Sequence, residues 1–295
     1  MVNWSLLALK LSARLPLPVS HFIGGTVGWL ASWMPIKPTR TADINLAICF
    51  PELAAFERRR LRRQAMANLG KMVLESGRIF LQPAPQTLSL IRQTSGTEML
   101  EQAYREGRGM ILATPHIGCW EMAGLWCGWN YPISSLYKPQ PGAVNDIILE
   151  SRERGGGRMF PTDTSGVRAL LKALRRHEVV GILPDRSGRV GSVHAPFFGH
   201  PLLTSTLAPK LAARSGAPVF FAVCERLPCG RGYHLRFFPG DPEIGSPDEK
   251  TAAAALNRSV EKCIRTRPEQ YWWTFKMFRR QPPGHSNPYK QKTRT

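Results

Sequence analysis

The sequence predicts an α/β fold in which a central mixed, largely parallel sheet is flanked by helices and preceded by an N-terminal hydrophobic membrane-anchor helix. Between about residue 94 and residue 239, short apolar runs alternate with segments of helical periodicity, which is typical of sheets with parallel strands. The 295-residue chain is 43% hydrophobic, which is enough for a large core. A long uncharged stretch near the N-terminus accounts for the predicted anchor.

That stretch, Leu15–Met34, contains no Asp, Glu, Lys or Arg. It is about as long as the ~20 residues that cross a bilayer, basic residues flank both ends, and two tryptophans could lie at the interface. Pro16 and Pro18 argue against an uninterrupted span. The sequence therefore predicts a membrane anchor over residues 1–40, either spanning or lying in the interface. An amphipathic helix packed on the domain is the alternative.

The remaining elements follow in chain order. Two helices are predicted between Thr39 and Leu81, and their basic run Glu57–Arg63 is either a solvated face or a contact for anionic lipid head groups. Strands are predicted at the apolar runs Met110–Thr114, Ile133–Tyr137, Val179–Leu183, Val219–Cys224 and Tyr233–Phe238. Helices are predicted at Glu98–Glu106, from Trp120 onward, and at Asp146–Glu153, Arg168–Arg176, Leu207–Ser215 and Thr251–Arg267. Pro115 ends the first of these strands because proline has no N–H to donate to a neighbouring strand.

The chain carries a large excess of positive charge. It has 40 Lys and Arg against 21 Asp and Glu, a formal net charge of +19. Such an excess indicates an anionic partner, which could be nucleic acid, a membrane surface or an anionic substrate. The 6 cysteines show no CxxC pair and no zinc-like spacing, so we interpret them as free or buried thiols in a reducing compartment.

A histidine and a glutamate lie where a predicted strand passes into a helix. His116 follows the strand, and Glu121 lies in the first turn of the helix that starts near Trp120. Such a histidine could accept a proton from a hydroxyl nucleophile, and a carboxylate on its other ring nitrogen would hold the required tautomer. The two can meet only if His116 lies in the turn before the helix, because positions i and i+5 lie about 140° apart on a helix. The alternative is a polar strand end followed by an acid that favours the helix dipole.

The segment ATPHIGCWE, residues 113–121, resembles the HX4D/E signature of glycerolipid-type acyltransferases. With Trp before Glu it is similar to the bacterial lipid A biosynthesis acyltransferases, the late lauroyl and myristoyl transferases. Further stretches support the same family in the same order: NLAICFPEL (Asn45–Leu53), GRGMILATPH (Gly107–His116), RERGG (Arg152–Gly156), LPDRSG (Leu183–Gly188), APFFGHP (Ala195–Pro201) and PEQYWW (Pro268–Trp273). The resemblance extends from about Leu15 to Pro282.

The resemblance implies an acyltransferase domain over residues 41–285, with a polar basic tail over residues 286–295. It implies transfer of a fatty acyl chain from acyl carrier protein to a hydroxyl of a lipid A precursor, in the late acylation of lipopolysaccharide biosynthesis. The acyl carrier protein thioester is then the donor substrate, with no separate cofactor and no metal. Expected partners are acyl carrier protein, a lipid A precursor or related anionic lipid, and inner-membrane lipids, without nucleic acid. The expected location is the bacterial inner membrane, with the catalytic domain on the cytoplasmic face.

Within that scheme His116 would be the general base and Glu121 would orient it. Arg152 and Arg154 lie in SRERGGGR, where a predicted helix runs into glycines, and a forked guanidinium suits a phosphate or a thioester oxyanion. The resemblance favours Arg152 for this role. The alternative is an arginine at a helix C-terminus that interacts only with the helix dipole.

Three more residues are predicted to contact substrate. Asp185, in LPDRSG, follows the end of a predicted parallel strand, where sites of α/β proteins gather, although a turn aspartate is the alternative. The family usually has Asp-Gln here, whereas this chain has Asp185 followed by Arg186. Phe197 and Phe198, in APFFGHP, would lie near the acyl-binding site according to the resemblance, and core packing is the alternative.

Two other functions stay open. An acyltransferase with another acceptor, such as a lysophospholipid, an ornithine lipid or a glycolipid, would carry the same motif. A basic nucleic-acid-binding protein would explain the charge and the aromatic residues, but not the uncharged N-terminal stretch or the spacing of His116 and Glu121. A serine hydrolase is disfavoured because the chain has no GxSxG motif.

Overall fold

A computed structural model describes residues 4–140, 142, 144–186 and 191–290. Its strands are β1 (Ile91–Ser95), β2 (Met110–Ala113), β3 (Ile133–Tyr137), β4 (Arg158–Pro161), β5 (Val179–Ile182), β6 (Ser192–Phe197), β7 (His200–Ser205), β8 (Val219–Arg226) and β9 (Tyr233–Pro239). Its α-helices are α1 (Trp4–Arg14), α2 (Leu17–Ala31), α3 (Lys37–Cys49), α4 (Ala55–Leu81), α5 (Ala84–Leu88), α6 (Thr97–Arg105), α7 (Trp120–Asn130), α8 (Asn145–Glu153), α9 (Thr164–Arg175), α10 (Leu207–Ser215) and α11 (Glu249–Thr266). Short 3₁₀ turns occur at Pro228–Gly230, Pro242–Gly245, Pro268–Gln270 and Met277–Arg279.

The main sheet has seven strands in the order β1-β9-β8-β2-β5-β3-β4. From β4 to β8 every neighbouring pair is parallel, whereas β9 runs antiparallel to β8 and pairs in parallel with β1. The predicted mixed, largely parallel sheet is therefore confirmed. The carboxyl ends of β2, β3 and β5 share one edge of this sheet, which is where sites form in open α/β folds.

The structure adds strands that the apolar pattern did not predict. β1 and β4 are the two edge strands; β1 is mostly polar, and the short apolar part of β4, Met159–Pro161, is only partly buried, unlike a central strand. β6 and β7 form a separate antiparallel hairpin where the sequence indicated only an apolar loop. Phe198 and Gly199 form its two-residue turn, and their φ angles of 47° and 73° suit a type I′ turn.

Helices cover both faces of the sheet, and β2 contributes side chains to both cores. Ile111 and Ala113 pack in one hydrophobic cluster, together with residues of α3, α9, α10 and α11. Met110 and Leu112 pack in the other cluster, with residues of α6 and α7. Since a strand buried on both faces needs apolar residues at every position, the unbroken run at β2 is explained.

The N-terminal segment forms two helices, α1 and α2, in place of the single anchor helix predicted over residues 1–40. Within the described ranges, no helix is both long enough and apolar enough to cross a membrane. Pro16 separates α1 from α2, because proline lacks the N–H that would continue the helical hydrogen bonds. α2 lies closely against α4, since a Cβ on Gly24 would come within 2.4 Å of the Gly70 carbonyl oxygen. This contact agrees with the alternative interpretation, in which the N-terminal helix packs on the domain. The structure does not support an anchor helix that spans the membrane.

Candidate active site

The loop between β2 and α7 places His116 at the carboxyl edge of the sheet, where it is 7% exposed. The backbone N–H of Trp272 donates to the His116 carbonyl oxygen at 3.0 Å, and the Gly118 N–H donates to the Gln270 carbonyl oxygen at 3.0 Å. Gly118 has a φ of 60°, and a Cβ there would lie 2.0 Å from the Cys224 carbonyl oxygen. Only glycine therefore lets this loop lie so close to β8.

Asp185 lies in the turn after β5, the parallel neighbour of β2, and its carboxylate reaches the histidine. Oδ1 accepts a hydrogen bond from Nδ1 of His116 at 2.7 Å, and Oδ2 accepts one from the His116 backbone N–H at 2.8 Å. The two side chains are 8% and 3% exposed. Burial alone would raise the pKa of the Asp185 carboxyl, but His116 lowers that pKa below its usual value, so the carboxylate stays ionised.

This contact determines the tautomer of the histidine ring. Because an ionised carboxylate can only accept hydrogen bonds, Nδ1 of His116 carries the proton and Nε2 is the basic nitrogen. Among the described residues, Nε2 has no hydrogen-bond partner. The pair has the arrangement of a general base and the carboxylate that orients it.

Glu121 does not supply the carboxylate that the spacing predicted for His116. Its oxygens accept hydrogen bonds from Arg152, from Nη2 to Oε1 at 2.6 Å and from Nε to Oε2 at 3.0 Å. His116 lies in the turn before α7, which is where it would have to lie to meet Glu121. Its side chain instead bonds Asp185, in the turn after β5. Glu121 pairs with Arg152, in the last turn of α8. Burial alone would lower the pKa of the Arg152 guanidinium, but Glu121 raises it overall, so Arg152 stays charged.

Aromatic side chains surround the histidine. The rings of Trp120 and Trp272 stack with centroids 5.3 Å apart, and they lie 5.0 and 5.6 Å from the His116 ring. The guanidinium of Arg186 lies 4.2 Å from the Trp272 centroid and 4.0 Å from that of Phe275, as cation–π contacts. The sequence predicts no role for Trp272 beyond its place in PEQYWW, which contributes to the resemblance. Arg186, which stands where the family usually has glutamine, therefore packs against two aromatic rings beside the site.

Two apolar recesses open beside Trp120 and Glu121. The sheet recess, of about 210 Å³, lies between α7 and the ends of β2, β3 and β5, and its wall includes Leu112, Gly124, Ile133, Leu136, Arg152 and Met159. The helix recess, also about 210 Å³, lies between α4 and the loop before α7, and its wall includes Met72, Val73, Ile79 and Phe80. Walls of this kind suit hydrocarbon chains. In the described part of the chain, no group of three or more His, Cys, Asp or Glu is arranged to hold a metal ion.

A sequence model of the family described as bacterial lipid A biosynthesis acyltransferase matches residues 2–280. The chain belongs to this family. The lipid A biosynthesis lauroyltransferase of Escherichia coli (strain K12) is 31% identical to it over 286 residues, which cover 95% of this chain and 92% of the relative. The palmitoleoyltransferase of the same strain is 29% identical over 283 residues (95% and 92% covered), and the myristoyltransferase 25% identical over 280 residues (90% and 83% covered). The resemblance inferred from the motifs is confirmed.

In this lipid A acyltransferase family member, three further residues predicted to contact substrate have partners within the protein. Nη1 of Arg154 donates to the Phe80 carbonyl oxygen at 2.7 Å, at the C-terminal end of α4. Phe197 is 1% exposed in the core, and Phe198 packs against Phe50 with ring centroids 5.2 Å apart. Core packing therefore accounts for both phenylalanines, and Arg154 interacts with the end of α4 rather than with its own helix.

Proposed function

We propose that this protein is an acyl carrier protein-dependent O-acyltransferase that adds a fatty acyl chain to a hydroxyl of a lipid A precursor, in a late acylation. The observation that carries the proposal is the buried His116–Asp185 pair, with Nε2 as the basic nitrogen, close to two apolar recesses. The family and the lauroyl, palmitoleoyl and myristoyl transferases among the relatives support a fatty acyl group and a lipid A-type acceptor.

In this scheme, Nε2 of His116 takes the proton of the acceptor hydroxyl while the alkoxide oxygen bonds to the thioester carbonyl carbon. Asp185 stabilises the resulting imidazolium through the hydrogen bond on Nδ1. When the tetrahedral intermediate collapses, the carbon–sulfur bond breaks and the leaving thiolate takes the proton from His116. The products are an ester and a carrier-protein thiol, and no acyl-enzyme is required.

We expect two groups to stabilise the negative charge of that intermediate. α7 begins at Trp120, and the N–H groups of its first turn give this end a partial positive charge. Arg152 stays charged at the wall of the sheet recess, where it could bind the thioester oxygen or an acceptor phosphate. Glu121 would therefore act by positioning Arg152, and Arg154 would have no part in the reaction.

We assign the sheet recess to the donor acyl chain and the helix recess to a chain of the acceptor. The sheet recess is bounded by three strand ends, so its walls could limit the length of a chain inside it. The helix recess lies along α4, the helix that packs against α2, on the side from which we expect a membrane lipid to arrive. The net charge of +19 suits an acidic carrier protein, a phosphorylated acceptor and an anionic membrane alike.

We further propose that the protein lies in the interface on the cytoplasmic face of the inner membrane. The face of α2 that points away from α4 is apolar and exposed: Phe22 is 75% exposed, Val27 60% and Leu30 55%. Beside it, Trp33 is 56% exposed, and the guanidinium of Arg63 lies 3.9 Å from its ring centroid. An apolar face next to basic side chains is suited to the boundary between head groups and acyl chains.

The variant F22D/L30D tests this placement. It should bind vesicles of phosphatidylethanolamine and phosphatidylglycerol roughly tenfold more weakly or worse, because burying each large apolar side chain is worth about 1.5–3 kcal/mol. Cosedimentation measures the change. The control W129D alters an apolar side chain that is 54% exposed on α7 and should bind vesicles like the unmodified protein. Equal vesicle binding by F22D/L30D and the unmodified protein would contradict the interfacial placement.

Acyl transfer by the purified, detergent-solubilised protein tests the function itself. The donors are acyl carrier proteins loaded with lauroyl, myristoyl or palmitoleoyl chains, and the acceptors are a Kdo-bearing tetra-acylated lipid A precursor and, in parallel, a lysophospholipid. We expect transfer to the lipid A precursor that is lost in His116→Ala. Transfer only to the lysophospholipid would keep the chemistry and replace the acceptor, and transfer to neither would contradict the proposal.

A further inference from the structure

A charged cluster is buried where the N-terminal helices meet the sheet. Arg226, at the end of β8, donates to the Glu75 carboxylate of α4 from Nε at 3.0 Å and from Nη2 at 2.5 Å. His21 of α2 and Tyr233 of β9 donate to the same carboxylate at 2.7 and 2.9 Å. None of the four residues is more than 6% exposed. None of the four takes part in the reaction steps above, and Glu75 also lines the helix recess.

Burying such a pair is costly, and stability alone does not explain it. A buried ion pair often stabilises a fold no more than apolar side chains of similar volume would. Burial alone would raise the pKa of the Glu75 carboxyl, but Arg226 and the hydrogen bond from His21 lower that pKa to about 2, so the pair is charged at neutral pH. What an apolar residue could not supply at this position is a hydrogen-bond donor aimed at a particular acceptor.

That acceptor lies in the loop that carries His116. Nη2 of Arg226 also donates to the Gly118 carbonyl oxygen at 3.1 Å. The backbone of Arg226 exchanges hydrogen bonds of 2.8 and 3.1 Å with the side chain of Gln270. The carbonyl oxygen of Gln270 in turn accepts from the Gly118 N–H at 3.0 Å. Both backbone polar groups of Gly118 are therefore held by Arg226, one directly and one through Gln270.

We propose that Arg226 and Glu75 are positioning residues for acyl transfer, which hold the Gly118 peptide and thereby keep His116 where Nε2 meets the acceptor hydroxyl. This inference rests on the proposed function. Glu75 holds the guanidinium of Arg226 by two N–H groups, which orients the hydrogen bond to Gly118. A glycine at a φ of 60° has wide conformational freedom, so its peptide needs outside hydrogen bonds to keep one orientation. A displacement of only about 1 Å at a catalytic group can lower the rate roughly 100-fold.

The double variant E75Q/R226M tests the proposal. Glutamine at position 75 can still accept from Tyr233, and methionine at position 226 fills much of the volume, so no buried charge is left without a partner. The control E225Q/R236M removes a neighbouring ion pair between β8 and β9, in which Nη1 of Arg236 lies 2.8 Å from Glu225. Glutamine at position 225 can still accept a hydrogen bond from Nε of Arg267, which lies 3.1 Å from the other carboxylate oxygen of Glu225. We expect E75Q/R226M to lose roughly ten- to hundredfold in kcat, with nearly unchanged KM for both substrates. The control should keep the kcat of the unmodified protein.

Amide hydrogen exchange supplies a readout that does not depend on activity. Exchange in the peptide covering residues 114–122 should accelerate in E75Q/R226M and not in the control. An unchanged kcat in folded E75Q/R226M, or unchanged exchange in that peptide, would overturn the positioning role. If the unmodified protein shows no acyl transfer, the proposed function is overturned instead. The exchange experiment would still test whether Arg226 and Glu75 fix the orientation of the Gly118 peptide. Should E75Q/R226M fail to fold, Arg226→Lys, which keeps the charge but not the fork, should show the same loss of kcat.

Discussion

Asp185→Asn is expected to lower kcat for acyl transfer by roughly 10²- to 10⁴-fold, close to the loss in His116→Ala. The carboxylate accepts the Nδ1 proton of His116 at 2.7 Å and so leaves Nε2 basic. An asparagine amide can present its N–H₂ to Nδ1 and stabilise the opposite tautomer, in which Nε2 is protonated and cannot act as a base. Steady-state kinetics with matched amounts of folded protein measure the change.

Glu121→Gln is the matched control, since it changes the other carboxylate near the histidine in the same way. A glutamine can still accept one hydrogen bond from Arg152, so we expect a loss of only about tenfold. The double variant H116A/D185N should be no slower than H116A, because residues that act as one unit have non-additive effects. A large loss in Glu121→Gln with near-normal activity in Asp185→Asn would return the orienting role to Glu121.

Asp185→Asn should also change the stability of the fold in a pH-dependent way. The pKa of Asp185 is lowered from its ordinary 3.8 in the folded protein, so the ionised carboxylate stabilises the fold above about pH 4. That contribution is lost as the pH falls through the lowered folded-state pKa. The difference in unfolding free energy between the unmodified protein and Asp185→Asn should therefore shrink from pH 6 to pH 3 in urea titrations. A difference that stays constant over this range would contradict an ionised, paired Asp185.

Local sequence predicted the centre of the sheet better than its edges. β2, β3, β5, β8 and β9 nearly coincide with the predicted apolar runs, because strands inside a covered sheet consist of apolar residues. β1 and β4 have one neighbour each; β1 is mostly polar, and the apolar part of β4 is only the three residues Met159–Pro161, so neither has a long apolar run. The uncharged stretch Leu15–Met34 shows a further limit of composition. Its glycines allow α2 to pack closely against α4. Hydropathy alone does not distinguish a helix packed in this way from one that spans a membrane.

The site shows the same division between local and long-range information. The position of His116 after a strand and before a helix follows from the residues around it. Its partner Asp185 is 69 residues away, and only the pairing of β2 with β5 brings the two together. The sequence did predict Asp185 as a site residue, since it follows a parallel strand. Whether Asp185 or Glu121 bonds the histidine depends on the direction in which the loop turns at Gly118. The number of residues between His116 and Glu121 does not predict that direction.

Gly124→Met is expected to shorten the acyl chain that the protein transfers. Gly124 lies in the second turn of α7 and lines the sheet recess assigned to the donor chain. A Cβ at this position would meet no heavy atom within 4 Å, so a methionine side chain can enter the recess without displacing protein atoms. Removing a glycine from a helix interior also favours the helix by up to about 1 kcal/mol, so unfolding would not explain a changed activity.

The expected result is a loss of roughly 10- to 200-fold in kcat/KM for the longest donor chain that the unmodified protein uses, because one methylene in an apolar pocket is worth about 1–3 kcal/mol. Shorter donors should keep most of their kcat/KM. Competition between carrier proteins loaded with chains of different length measures the preference in one reaction. Gly245→Met is the matched control, since a Cβ on Gly245 also meets no heavy atom within 4 Å and this exposed residue lies in a 3₁₀ turn.

An unchanged donor preference in Gly124→Met, together with a raised KM for the lipid acceptor, would contradict the assignment of the recesses. The sheet recess would then hold the acceptor chain, and Val73→Trp, which fills the helix recess, should alter the donor preference instead. Trp120 and Glu121 line both recesses. The reacting groups would therefore lie beside the His116 loop even if the donor chain occupied the helix recess and the acceptor chain the sheet recess. The pair of variants therefore tests which chain occupies which recess, separately from the chemistry that Asp185→Asn tests.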